Sequence, residues 1–284
     1  MGVLSRRPCV ALCVALSAAI SCVRAAPAGV MPPDHGFTWK TIGNAGNRAT
    51  NPSEVPTYPQ LQLGAVAHEF RMATTQVTVG QFFEFVRAFA PYNQWGEVTP
   101  YGVIANAYIY NTGGQWTMTP FARDLPVETS WRFAAMYCNW LCNDKGTTRE
   151  AFETGAYDVS TFNFRQDGDP LFWTDQRART PGARFFLPTL DEWVKGFHYD
   201  PDRYGQGRGG YWQYPNGTDT PMIAGFPWDG GQHALGYNGV PVGSYPDQQS
   251  PYGLLDGSNW VPQWTETAGA TGKRLMRNWD LGFF

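Results

Sequence analysis

The chain has 284 residues and a formal net charge of −3, and its 43% of apolar residues can fill the core of one large domain. Only 16% are charged and no basic face is concentrated anywhere, which excludes the electrostatic footprint of a nucleic-acid binder. Aromatic residues at 15%, with 32 Gly and 22 Pro, point to a loop-rich fold closed by rings.

Arg6 and Arg7 precede an apolar run, Cys9 to Val23, that is too short for a good membrane span. Small residues follow, and Val23-Arg24-Ala25 and Ala26-Pro27-Ala28 both suit cleavage. Residues 1–28 are therefore expected to be a signal peptide, 29–36 a Pro/Gly linker, and 37–284 the folded domain. An uncleaved anchor, a short buried helix and lipid attachment at Cys22 are the alternatives, the last disfavoured by Ala19. Export would place the protein outside the cell, in the periplasm or in the cell envelope. Cleavage takes Arg6, Arg7 and Arg24 from the 21 basic residues and no acid, leaving 18 against 24 and a net −6. No later stretch is long and apolar enough to span a membrane.

Only Cys138 and Cys142 remain after cleavage. They stand four apart in a predicted helix, with Cα atoms about 6 Å apart but Cβ atoms too far for an unstrained disulfide. Two small buried thiols is the plainer reading, and a metal or catalytic pair the sharper one.

Phe37–Asn47 opens the domain, a polar Pro-bearing loop follows over Arg48–Gln60, and Leu61–Thr75 reads as mostly extended. Thr78 is placed to cap a helix over Val79–Phe89, whose Phe82, Phe85, Val86 and Phe89 form a core stripe. Ala90–Leu125 reads as an irregular surface insertion with short hairpins. Pro126–Ser130 reads as a short strand and cap. A second helix is predicted from Trp131 to about Asn143, with Trp131, Ala134, Ala135, Cys138, Leu141 and Cys142 on its apolar face and Lys145-Gly146 at its end. Residues 147–183 are loop-rich.

Arg184–Leu187 reads as a short apolar strand ended by Pro188. Thr189 and Glu192 then have capping-box spacing, and Asp191 adds favourable charge to the first turn. Trp193 and Phe197 share one helix face, and Asp200-Pro201 stops the helix. Beyond it, Asn216-Gly217 signals a turn inside a glycosylation-acceptor triplet ending at Thr218, and Pro241–Pro246 reads as extended.

Five motifs, in order, resemble the formylglycine-generating enzyme (sulfatase-modifying factor) family. They are Met72 with Gln76-Val77-Thr78 and Gln81-Phe82; Pro126-Val127 with Ser130-Trp131, Ala135, Cys138, Asn139 and Trp140; Leu187-Pro188-Thr189 with Glu192-Trp193; Pro241-Val242-Gly243-Ser244 with Tyr252-Gly253-Leu254; and Val261 with Trp264-Thr265. The resemblance covers roughly residues 37–280. It implies an α+β, C-type-lectin-like, loop-rich fold with two main helices and small twisted antiparallel sheets.

The departures bear on activity. The family's oxidases hold copper with two cysteines near the C-terminus, and no cysteine follows Cys142 here. Copper is therefore not supported, no catalytic residue is assigned, and the domain reads as incomplete at its C-terminus. A related branch uses histidine-held iron, but His35, His68, His198 and His233 are scattered. Calcium often holds the family's loops. The resemblance assigns it to Asp256, Asn259, Val261 and Gln263, with Gln263 replacing the usual glutamate and losing a charge and bidentate reach.

Two functions follow. One is a secreted pseudoenzyme that binds a protein or glycan as a scaffold. The other is a formylglycine-type oxidase, or a non-haem-iron relative, whose active segment is missing from this chain.

Overall fold

Short antiparallel ribbons and well-capped helices carry the backbone. The structure, a computed structural model, describes residues 33–104, 108–166, 171–234, 239–258, 261–270 and 272–277. Strands Trp39–Ile42 (β1) and Phe70–Ala73 (β2) pair antiparallel, with Trp39 opposite Ala73 and Ile42 opposite Phe70. The extended run expected over Leu61–Thr75 thus yields four residues of strand. Its earlier part bonds to a loop instead, with the Thr50 amide donating to Leu63 O at 2.9 Å and that of Gly46 to Val66 O at 2.8 Å. Residues 33–36 of the expected linker dock on the domain: the His35 ring lies 5.0 Å from that of Phe185, and its Nε2 donates to Leu141 O at 3.1 Å. The expected signal peptide, 1–28, lies outside the described residues.

The two long helices form where the caps predict. Val79–Phe89 (α1) starts at Thr78, whose hydroxyl accepts from the Gln81 amide at 3.1 Å while Gln81 Oε1 accepts from the Thr78 amide at 2.9 Å. Thr78→Ala removes one arm of that box and is expected to cost about 1 kcal/mol, read from urea unfolding. Trp131–Cys142 (α2) is capped by Ser130. It is buried well beyond one apolar face. Arg132 is taken inside because it forks onto Asp175 at 2.7 and 3.0 Å, and Asn139 because its amide donates to Phe152 O and Tyr157 O and accepts from the Tyr157 amide. The helix ends through Asp144 and Lys145, both at positive φ, with the Lys145 amide donating to Trp140 O; Gly146 is not the turning residue.

The stretch after α1 holds the expected hairpins, Val98–Thr99 (β3) with Gly102–Val103 (β4) and Ile109–Thr112 (β5) with Gln115–Met118 (β6). It is more than surface, since Ile104 and Ile109 enter the core. Residues 147–183 contain the short helix Glu150–Glu153 (α3) and a ribbon of Phe164–Gln166 (β7) with Leu171–Trp173 (β8). Leu190–His198 (α4) follows Thr189 with its complete capping box. Tyr199–Asp200 (β9) then pairs with Gly210–Tyr211 (β10), and Gln263–Ala268 (β11) with Arg274–Arg277 (β12). Among the described residues every sheet has two strands, and no helix is long and apolar enough to cross a membrane.

Two expected strands and one extended segment are not formed. Arg184–Leu187 runs as irregular chain because it has no neighbouring strand to pair with; the Leu187 amide donates to the Tyr157 hydroxyl at 3.1 Å instead. Pro126, lacking an amide hydrogen, makes only a single bridge to Thr78. Val242-Gly243 is a turn, with Gly243 at φ 72.

One core packs α1 on α2 around Phe85, whose ring meets those of Phe89, Phe133, Tyr137, Trp140 and Phe152 at 5.8–6.4 Å. A second gathers Trp193 and Phe197 of α4, rings 4.6 Å apart, with Ile42, Phe70, Tyr211 and Leu254. The loop Arg48–Gln60 is anchored by Glu54, which is fully buried. Its carboxylate accepts from Arg48 at 2.6 and 2.8 Å, the Asn51 and Tyr211 amides at 2.9 and 3.0 Å, and the Tyr204 hydroxyl at 3.1 Å. This is the α+β, C-type-lectin-like arrangement of short elements that the motifs imply.

Candidate functional site

A cavity of about 430 Å³ opens between β1–β2, α2, the irregular stretch Phe185–Pro188 and the start of β11. Its size falls in the range of small-ligand sites. Trp39, Phe82, Tyr137, Leu141, Phe185 and Trp264 give it aromatic and aliphatic walls. Its charged lining residues are Arg71, Glu128 and Arg184, the last two solvent-exposed and so at the mouth.

Cys138 lines this cavity from α2. Burial pushes its thiol well above the ordinary range, and Cys142 and Glu266 push it further the same way. A thiol kept protonated is a poor nucleophile and a poor metal ligand. Cys142, one turn on, exchanges bonds with the backbone of Phe185 at 3.3 and 3.4 Å. Both cysteines are free, as their helical spacing predicts.

The wall at Phe185–Pro188 is held by a buried acid cluster. Arg179 forks onto Glu192 at 2.6 and 3.0 Å, and its backbone amide donates to Glu266 at 3.0 Å. Glu192 also accepts from the Thr189 amide and from His68 Nε2, each at 2.8 Å. The Tyr157 hydroxyl donates to Glu266 at 3.0 Å while accepting from the Leu187 amide, and the Glu266 amide donates to Pro188 O at 2.7 Å. Burial pushes both carboxyls up. For Glu192 the bonds from Arg179 and Thr189 outweigh burial and hold it below the usual carboxylate range. For Glu266 the more distant guanidinium, 3.6 Å away, does not, and it stays raised.

The residues expected to hold calcium are brought together, except that Asn259 lies outside the described residues. Asp256 sits at φ 62 with its carboxylate accepting from the Gly243 amide at 2.9 and 3.1 Å and from that of Gln76. Burial pushes this carboxyl up to about 6 against the pull of those amides. Gln263 donates from Nε2 to Asp256 O at 2.8 Å and accepts at Oε1 from Trp193 Nε1 at 2.9 Å. Val261 O accepts from Gln76 Nε2 at 2.9 Å. Calcium takes six to eight oxygens, carboxylates among them. Among the described residues of this set a single carboxylate is present and its oxygens already accept hydrogen bonds, so the described donors do not by themselves fit that ion.

The histidines do not converge. His35 and His68 serve the contacts above, and His198 is buried with its ring held down to about 3, chiefly by burial. Among the described residues no three His, Cys, Asp or Glu side chains are grouped to hold a metal. In the acceptor triplet, Asn216 donates to Gln248 at 2.9 Å and accepts from Thr218 at 3.0 Å. Sequence reasoning missed Arg179, Glu266 and Gln76 as site builders. Glu192 carried a signal as a helix cap and as part of a family motif.

The sulfatase-modifying factor enzyme 1-like domain matches residues 41–275. The crystal structure of CarF is similar at 18% identity, covering 87% of this chain and 86% of that one, with a TM-score of 0.41. A search of curated proteins gives no match. With a matched span that takes in the capped helices, most of the cavity lining and β11, the chain belongs to the sulfatase-modifying factor enzyme 1-like family.

Proposed function

We propose that this is an exported, non-catalytic binding domain whose cavity receives the apolar side chains of a partner protein or peptide. The observation that carries this is the cavity itself: about 430 Å³, walled by rings, with Glu128 and Arg184 at the mouth. Burying a large aromatic or aliphatic side chain in such a space favours binding by about 1.5–3 kcal/mol. Glu128 and Arg184 at the rim, and Arg71 in the wall, would orient the partner's polar backbone and charges.

The thiol chemistry supports a binding role over an oxidase. Cys138 is protonated and Cys142 is engaged with the backbone. Purified protein given copper and a peptide containing Cys-x-Pro-x-Arg is expected to leave the cysteine unoxidised; formylglycine in that peptide would sink the non-catalytic reading. Export is checked by mass spectrometry of protein recovered outside the cytoplasm, where loss of residues 1–28 is expected.

The cavity is tested with the probe 1-anilinonaphthalene-8-sulfonate. Ala134 on α2 lines the space and is half-buried. Ala134→Leu should fill part of it and weaken probe binding about tenfold, equivalent to about 1.4 kcal/mol, with the unfolding midpoint unchanged. Undiminished probe binding by that variant would move the site elsewhere.

A further inference from the structure

The expected calcium loop and the cavity share a wall, since Gln76, Val261 and Gln263 line the cavity and also meet around Asp256. Each acceptor oxygen described there is met by a hydrogen-bond donor. Gly243 N–H and Gln76 N–H point at the Asp256 carboxylate, Gln76 Nε2–H at Val261 O, and Gln263 Nε2–H at Asp256 O. Donor dipoles aimed inward repel a cation and satisfy the oxygens that would otherwise ligate it. A glutamate at 263 could not make this pattern. It could still accept from Trp193 Nε1, but it has no hydrogen for Asp256 O.

We propose that Gln76, Gln263 and Asp256 form a hydrogen-bonded clasp that closes the loop and the cavity wall without a divalent cation. The glutamine at 263 is then required for its amide, which must donate and accept at once. Asp256 contributes through position: its left-handed backbone turns both carboxylate oxygens toward the Gly243 and Gln76 amides. Because a buried acceptor left without its donor is costly, the clasp is a strong determinant of the loop's conformation.

Thermal unfolding of the full chain tests this independently of the binding proposal. In chelator and in 5 mM calcium chloride the wild-type midpoint should be the same, and calorimetric titration with calcium should show no saturable heat. A saturable rise in midpoint with calcium would overturn the clasp. Gln263→Glu in chelator should lower the midpoint by about 3–8 °C, through lost donation and an added buried charge. Gln76→Met, which removes the bond to Val261 O, should lower it by about 2–4 °C and keeps the test open if the first variant fails to fold. An unchanged midpoint in either variant would show that the amides do not hold the loop.

Discussion

Arg179→Met is expected to destabilise the domain by about 3–5 kcal/mol at pH 7, because it leaves two buried carboxylates with no guanidinium between them. Glu192 and Glu266 are both nearly inaccessible to solvent, and Arg179 bonds the first and lies 3.6 Å from the second. The pH dependence should change sign in this region. In the wild type the depressed Glu192 carboxyl contributes stability that is present above its unfolded value and is lost as pH falls through the folded one. Without Arg179 burial dominates and both carboxyls rise, so stability is fullest at low pH and declines as pH climbs. Urea unfolding at pH 5 and pH 7 should therefore show a smaller deficit at pH 5. An equal deficit at both would mean that the two acids are not coupled through Arg179. Because Tyr157 and Glu266 hold the backbone of Leu187 and Pro188, the same variant should also weaken probe binding in the cavity.

Glu54→Ala is the second large effect, about 3–5 kcal/mol, because several donors lose one buried acceptor together. The carboxylate gathers five donors and is fully buried, while Arg203 lies 3.9 Å away and is itself nearly buried. Its loss leaves the Asn51 and Tyr211 amides without their acceptor and takes the carboxylate from Arg48, while Arg203 keeps its bond to Asp219 at 2.6 Å. Differential unfolding of the variant against wild type measures the deficit. Limited proteolysis should show new cleavage within Arg48–Gln60, the loop that Glu54 ties to Tyr211; resistance equal to wild type would place the anchor elsewhere.

The helices were legible because their signals are local. Thr78 with Gln81, Ser130, and Thr189 with Glu192 declare helix starts within four residues, and the Phe82–Phe89 stripe declares a buried face within eight. The ribbons were less so, because two-residue strands such as Val98–Thr99 have no period to read. Glu54 and Arg179 were illegible for another reason. Glu54 reaches Tyr211 across 157 positions, and Glu266 reaches Tyr157 across 109. A lone carboxylate in a polar stretch reads as solvated until its distant partners are placed. The glutamine at 263 was legible only as a departure; its role needed Trp193 and Asp256 beside it.

The two-stranded ribbons also dictate how this protein must fold. An isolated two-stranded hairpin is at best marginally stable in water, so no ribbon here can act as a seed. The bonds that fix the fold join remote segments: Asn47 to Tyr211 spans 164 positions, and Trp131 to Thr265 spans 134. Loop closure on that scale precedes most of the favourable enthalpy, which places refolding in the millisecond-to-second regime or slower. During synthesis the α1–α2 pair can assemble early, but β1–β2 and its loop must wait for α4 and Tyr211 to emerge. Until then Ile42, Val66 and Phe70 are exposed, and this interval is when the nascent chain most needs a holding chaperone.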